Sequence, residues 1–184
     1  VEGLAAGQRV AYAGGQLGSY AEQRIMNAGV LVPVPDSIED QTAAAMMLKG
    51  MTAHMLLFKC FPVSAGDTIL IHAAAGGVGT ILCQWAKHLG ATVIGTVGSD
   101  AKVEIAKAHG CDHAINYLTE NFAERVREIT NGAGVPVVYD SVGKDTFEDS
   151  LDCALNFGYV ISFGNASGPA PAVEPLTLMT KGSL

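Results

Sequence analysis

The chain has 184 residues, 49% of them apolar and 16% charged, which supplies a packed core and excludes a disordered or low-complexity sequence. Eleven Lys and Arg against eighteen Asp and Glu give a net charge of −7 with no basic cluster, which argues against a nucleic-acid surface. No apolar run approaches the ~18 residues of a membrane span, and no charged start precedes an apolar core, so the sequence reads as soluble and cytoplasmic.

Residues 9–13 (RVAYA) and 18–26 (GSYAEQRIM) predict two strands joined as a hairpin by the turn GGQLG. Pro33 and Pro35 should then break regular structure. Ser37 followed by Asp40 suits a helix start, and Thr42–Met47 with Thr52–Lys59 predict two helical stretches around Lys49–Gly50. A domain boundary falls near residue 46, giving domains 1–46 and 47–184.

From Thr68 onward two periods alternate. Strands are predicted at 68–72, 92–97, 113–116, 135–140 and 158–163. Between the first two, Val78, Ile81, Leu82, Trp85, Ala86 and Leu89 form one apolar helix face that Gly90 ends. Further helices fit 100–109, 119–130 and 144–156. Strands alternating with helices require a parallel sheet, and the right-handed crossover rule makes it a doubly wound, Rossmann-type α/β domain.

The stretch HAAAGGVGT (72–80) joins the first of these strands to its helix. The positions of a G-x-G-x-x-G fingerprint fall on Ala74, Gly76 and Gly79, with alanine in place of the first glycine. Gly76 and Gly77 would let the backbone approach a pyrophosphate, Gly79 would let the helix pack on the strand, and the helix N-terminus would offer unpaired N–H groups. A dinucleotide site normally reads the adenosine ribose at the end of the next strand, where a carboxylate favours NAD. Here Gly98 and Ser99 stand at that place, with Lys102 and Tyr117 able to add an ammonium and a phenol, a set that favours NADPH over NADH. Asp100 opposes that reading unless it is an N-cap pointing elsewhere. Asp140–Ser141–Val142–Gly143 and Phe163–Gly164–Asn165, at later strand ends, would line the rest of the crevice.

The four cysteines have no CxxC pair and no histidine at metal-ligand spacing, so free thiols are expected. None of the five histidines has a nearby carboxylate partner in sequence, and structural roles are expected for His54, His72, His88, His109 and His113.

LKGMTAHMLL (48–57), HAAAGGVG (72–79), CQWAKHLGATVIGTVGSDAK (83–102), INY (115–117), VVYDSVG (137–143) and SFGN (162–165) together resemble the zinc-independent quinone oxidoreductases, the ζ-crystallin-like branch of the medium-chain dehydrogenase/reductase family. The resemblance implies that residues 1–46 are the closing part of a GroES-like β domain. It also implies that the chain is a piece of a longer protein, one that pairs as a homodimer when intact. Zinc alcohol dehydrogenases of this fold carry a ligating cysteine in the segment that here reads Leu48-Lys49-Gly50-Met51-Thr52, so no metal is expected. The resemblance implies nicotinamide-side contacts from Thr52, Phe163, Gly164 and Asn165, pyrophosphate contacts from Gly76, Gly77 and Val78, and 2′-phosphate contacts from Ser99, Lys102 and Tyr117. The expected reaction is NADPH-dependent reduction of a small quinone. The alternatives are a 2-alkenal or enone double-bond reductase, and a nucleotide-binding module without activity.

Overall fold

The structure, a computed structural model, describes residues 3–15 and 17–180. Backbone contacts divide the chain into two compact units, Val1–Thr52 and Ala53–Leu184.

In the first unit, β1 (Val10–Ala11) pairs antiparallel with β2 (Val32–Pro33). The strand expected at 18–26 does not form among its described residues: Leu17, Tyr20 and Ile25 lie fully exposed, so no buried face drives the pairing. Gln16, in the expected GGQLG turn, lies outside the described residues. Pro33 ends a strand instead of interrupting one. At an edge of two residues its missing N–H costs no ladder bond, and Val34 N–H donates to Arg9 O at 3.0 Å. α1 runs unbroken over Asp40–Met55, correcting the expectation of two stretches divided at Lys49–Gly50. A glycine within a helix costs only ~1 kcal/mol and does not end it. A π-helical turn over Leu56–Cys60 follows, in which Phe61 N–H reaches Leu56 O at 3.2 Å.

The second unit is built on a five-stranded sheet of order β5-β4-β3-β6-β7 in which every neighbouring pair is parallel. Its strands are β3 (Thr68–Ile71), β4 (Thr92–Val97), β5 (His113–Asn116), β6 (Val135–Asp140) and β7 (Ala154–Ser162). The helices are α2 (Gly79–His88), α3 (Asp100–Ala108), α4 (Phe122–Ile129), α5 (Phe147–Cys153) and α6 (Pro175–Thr180). The helix expected to reach residue 156 stops at Cys153, and β7 starts four residues early. Phe157, at φ 62°, and the register shift opposite Val135–Val137 mark a bulge that absorbs the extra residues.

Strand alternation sorts the core onto two faces. Ile69, Ile71, Val93, Val97, Val137 and Tyr139 pack with Leu82, Ala86 and Ala106 of α2 and α3. Leu70, Ile94, Ile115 and Val138 pack with Phe122 and Val126 of α4. One step beyond Leu70, Ile94 and Val138, the same even register brings His72, Thr96 and Asp140 to the carboxyl edge of that second face. All three are buried. The strand order reverses at β3, between β4 and β6, where open α/β sheets form their ligand crevice.

Candidate functional site

β3 delivers the chain into the glycine turn at His72, whose N–H donates to Tyr139 O at 3.0 Å. Ala73 adopts a left-handed φ of 51°, and Gly76 N–H closes back onto its carbonyl at 2.8 Å. At Gly79 a Cβ would stand 2.2 Å from Ala73 O and 2.8 Å from Ala74 C, so only glycine lets α2 start this close to the strand. The N–H groups of Gly77 and Val78 donate to no carbonyl among the described residues. The turn therefore presents the unpaired donors of a helix start, the chemistry that holds a phosphate. Gly95 was not singled out in the sequence. A Cβ there would lie 2.6 Å from Ala74 Cβ and 2.7 Å from Cys111 Sγ, so the gap in β4 makes room for the turn.

A second group forms where β4 and β5 end. Val97 pairs with Asn116, and Tyr117 N–H donates to Val97 O at 3.1 Å. This brings the Tyr117 hydroxyl to within 2.6 Å of the point where a Cβ on Gly98 would sit. Ser99 is the N-cap residue of α3 and its side chain makes no capping bond. Lys102, exposed in the first turn of α3, has no ion pair among the described residues. Asp100 is not the N-cap; it is the first residue of α3, and its Oδ1 accepts a 2.7 Å hydrogen bond from Asn116 Nδ2.

The third group joins the loops after β6 and β7. Phe163 N–H donates to Asp140 O, Ala166 N–H to Ser141 O and Ser167 N–H to Val142 O, at 2.8, 3.2 and 2.9 Å. A Cβ on Gly164 would lie 2.8 Å from Ser141 O, and one on Gly143 would lie 3.3 Å from Asn165 Oδ1. Ser141, Phe163, Gly164 and Asn165 are thus brought together by close backbone approach.

Asp140 shapes this group from within. Its Oδ1 accepts from the N–H groups of Val142 and Gly143 at 2.8 and 3.0 Å, and Thr146 Oγ1 and Ser150 Oγ donate to Oδ2 at 2.8 and 3.1 Å. His72 connects Ser150 to Thr96, with Nε2 2.9 Å from Ser150 Oγ and Nδ1 2.8 Å from Thr96 Oγ1. Burial pushes the His72 pKa down to about 4 despite the opposing field of Asp140, so its ring is neutral near pH 7. The alternation of β3, β4 and β6 carried part of this signal; Ser150, on α5, could not be read from it.

A cavity of about 430 Å³ opens among these strand ends, lined by Ala73, Tyr117, Phe122, Val142, Thr146 and Ser167 among others. Gly76, Gly77, Val78, Ser99 and Lys102 lie outside its lining. Thr52 belongs to the first unit, where its hydroxyl donates to Leu48 O at 2.8 Å. All four cysteines are free, and burial raises the thiol pKa of Cys153 to about 12. No group of three His, Cys, Asp or Glu among the described residues could hold a metal ion, and no helix among them is long and apolar enough to cross a membrane.

A family model described as zinc-binding dehydrogenase matches residues 77–183. The chain is 53% identical over 178 residues to a quinone oxidoreductase of Pseudomonas aeruginosa, covering 97% of this chain and 55% of that protein. It is 50% identical to a 2-haloacrylate reductase of a Burkholderia species, covering 97% of this chain and 54% of the relative. The crystal structure of the Escherichia coli quinone oxidoreductase complexed with NADPH superposes with a TM-score of 0.96 at 47% identity, covering all of this chain and 56% of that one. The chain thus spans about half the length of these relatives. Matched by the family model over more than half its residues, the chain belongs to the zinc-binding dehydrogenase family, of which it carries the Rossmann-type nucleotide-binding fold.

Proposed function

We propose that this chain is the NADPH-binding portion of a zinc-independent quinone oxidoreductase. The observation that supports the reading is the approach of the Tyr117 hydroxyl to Gly98, the residue before Ser99, whose side chain makes no capping bond; Lys102, in the first turn of the same helix, has no ion pair among the described residues. An ammonium and two hydroxyls at the ribose end of the crevice suit a 2′-phosphate, and a side chain on Gly98 would displace one of them. Gly76 offers backbone room, and Gly77 and Val78 offer N–H groups, to the pyrophosphate. Ser141, Phe163, Gly164 and Asn165 would meet the nicotinamide half.

When bound, NADPH would supply the reducing equivalents to the acceptor, and a quinone would take up its protons from water. The residues of this chain bind and orient, and none is assigned as catalytic. Lys49 stands in the segment where zinc relatives have a cysteine, and an ammonium is no zinc ligand, which supports chemistry without the metal. Residues 1–46 read as the end of a GroES-like domain, and the intact protein as a cytoplasmic homodimer.

Identity of about 50% to a 2-haloacrylate reductase supports a second reading, reduction of an activated carbon–carbon double bond with the same cofactor. Two experiments test the proposal. Thermal melts of the chain should rise with NADPH and much less with NADH, by an amount set by RT ln(1 + [L]/Kd); equal or absent shifts would count against the 2′-phosphate site. The full-length protein should turn over 1,4-benzoquinone faster than a short 2-alkenal, and the reverse order would select the second reading.

A further inference from the structure

Asp100 is a carboxylate in the same helix turn as two of the proposed phosphate contacts, Ser99 and Lys102. It opens α3 between Ser99, the N-cap, and Lys102. On an exposed residue a free carboxylate would face the same solvent as Lys102, and either pairing with that ammonium or approaching a phosphate would weaken anion binding. Asp100 Oδ1 is held by Asn116 Nδ2 at 2.7 Å, and Lys102 has no ion pair among the described residues.

Asn116 is built for this contact. Its side chain is buried beside the end of β4. The Leu118 N–H donates to its Oδ1 at 3.2 Å, which fixes the amide so that its NH₂ group, and not its oxygen, meets Asp100. The Asn116 carbonyl accepts from the N–H groups of Thr119 and Glu120, both at 3.0 Å, holding the turn that carries Tyr117. One residue therefore anchors the phenol and ties back the carboxylate.

We propose that Asn116 is a specificity-determining residue: by binding Asp100 it withholds a negative charge from the Ser99, Lys102 and Tyr117 group and so favours a cofactor with a 2′-phosphate. The inference rests on the 2′-phosphate reading above and adds a residue that touches no ligand.

The test is a mutant cycle on this chain, with calorimetric Kd values for 2′,5′-ADP and 5′-AMP as probes and melting curves to establish folding. In the unsubstituted chain 2′,5′-ADP should bind more tightly, and K102A should remove most of that preference. N116L should lower the preference by about tenfold, D100N alone should change it by less than about twofold, and D100N/N116L should regain most of what N116L lost. If N116L does not fold, N116S with D100N/N116S replaces it, with the same outcomes. Retained preference in the Asn116 variant overturns the inference, and so does a double variant as impaired as the single one, since Asn116 would then act only through the turn. If neither the unsubstituted chain nor K102A distinguishes the probes, the 2′-phosphate reading itself falls, and the inference with it.

Discussion

His72 Nε2 lies 2.9 Å from Ser150 Oγ across 78 residues of sequence, and the surrounding acceptors fix which way the proton points. The Ser150 hydroxyl has one hydrogen and faces Asp140 Oδ2 at 3.1 Å and Thr146 O at 2.8 Å, neither of which can donate when Asp140 is ionised. Ser150 must therefore accept from His72, which makes His72 the Nε2–H tautomer and leaves Nδ1 to accept from Thr96. The chain Thr96–His72–Ser150–Asp140 closes with one proton per contact and ties together the ends of β3, β4 and β6 whose loops form the crevice.

Removing the imidazole leaves two buried hydroxyls without their partner. H72L should lower unfolding free energy by about 3 kcal/mol, and H72Q, whose amide can still donate to Ser150, by clearly less. Urea titrations of both variants measure this; equal losses would show that packing and not the hydrogen bond holds the site.

The same residue gives stability a pH dependence. Its pKa falls from 6.5 to about 4 on folding, so the unfolded chain binds the proton more tightly. No penalty applies above the unfolded pKa; stability is lost as pH falls from about 6.5 to about 4, with a slope of up to ~1.4 kcal/mol per pH unit, and the loss levels off below. Subtracting the H72Q curve from that of the unsubstituted chain should isolate this slope, and parallel curves would contradict it.

At Gly98 an added Cβ would meet only the far end of an exposed tyrosine side chain, 2.6 Å away. G98A should therefore leave the melting temperature within a few degrees of the original while weakening NADPH binding about fivefold to tenfold and barely affecting NADH. Fluorescence titration with both nucleotides distinguishes this from a general loss of the site.

Gly79 offers the opposite case, because a Cβ there would strike backbone at 2.2 and 2.8 Å. G79A should cost about 3 kcal/mol or more, read as a lowered urea midpoint or a failure to accumulate folded protein. A melting curve close to that of the unsubstituted chain would mean that the glycine turn can open without loss.

Gly50 should behave differently again. It lies inside α1, where the only atom near a new Cβ would be Met46 Cε at 3.8 Å. G50A is expected to stabilise the helix by roughly 0.5–1 kcal/mol through a less mobile unfolded chain, raising the unfolding midpoint.

Much of this molecule follows from short-range pattern. Short β-branched apolar runs in TILI, TVIGTV and VPVVYD, bounded by turn residues, mark strands buried on both faces, and the 3.6-residue period from Val78 to Leu89 marks α2 as a helix covered on one face. The same pattern locates the glycine turn at a strand's end and hence the phosphate cradle. Tertiary structure decided what depends on partners distant in sequence. Val32–Pro33 took the place of residues 18–26 beside β1, a ladder between segments distant in sequence. α1 continued through Gly50, where a glycine costs a helix only ~1 kcal/mol, and Asp100, one residue past the N-cap, bonds Asn116 instead of capping the helix. The meetings of His72 with Ser150 and of Gly98 with Tyr117 arise only when the sheet assembles and brings separate strand ends to one edge, which no local propensity encodes.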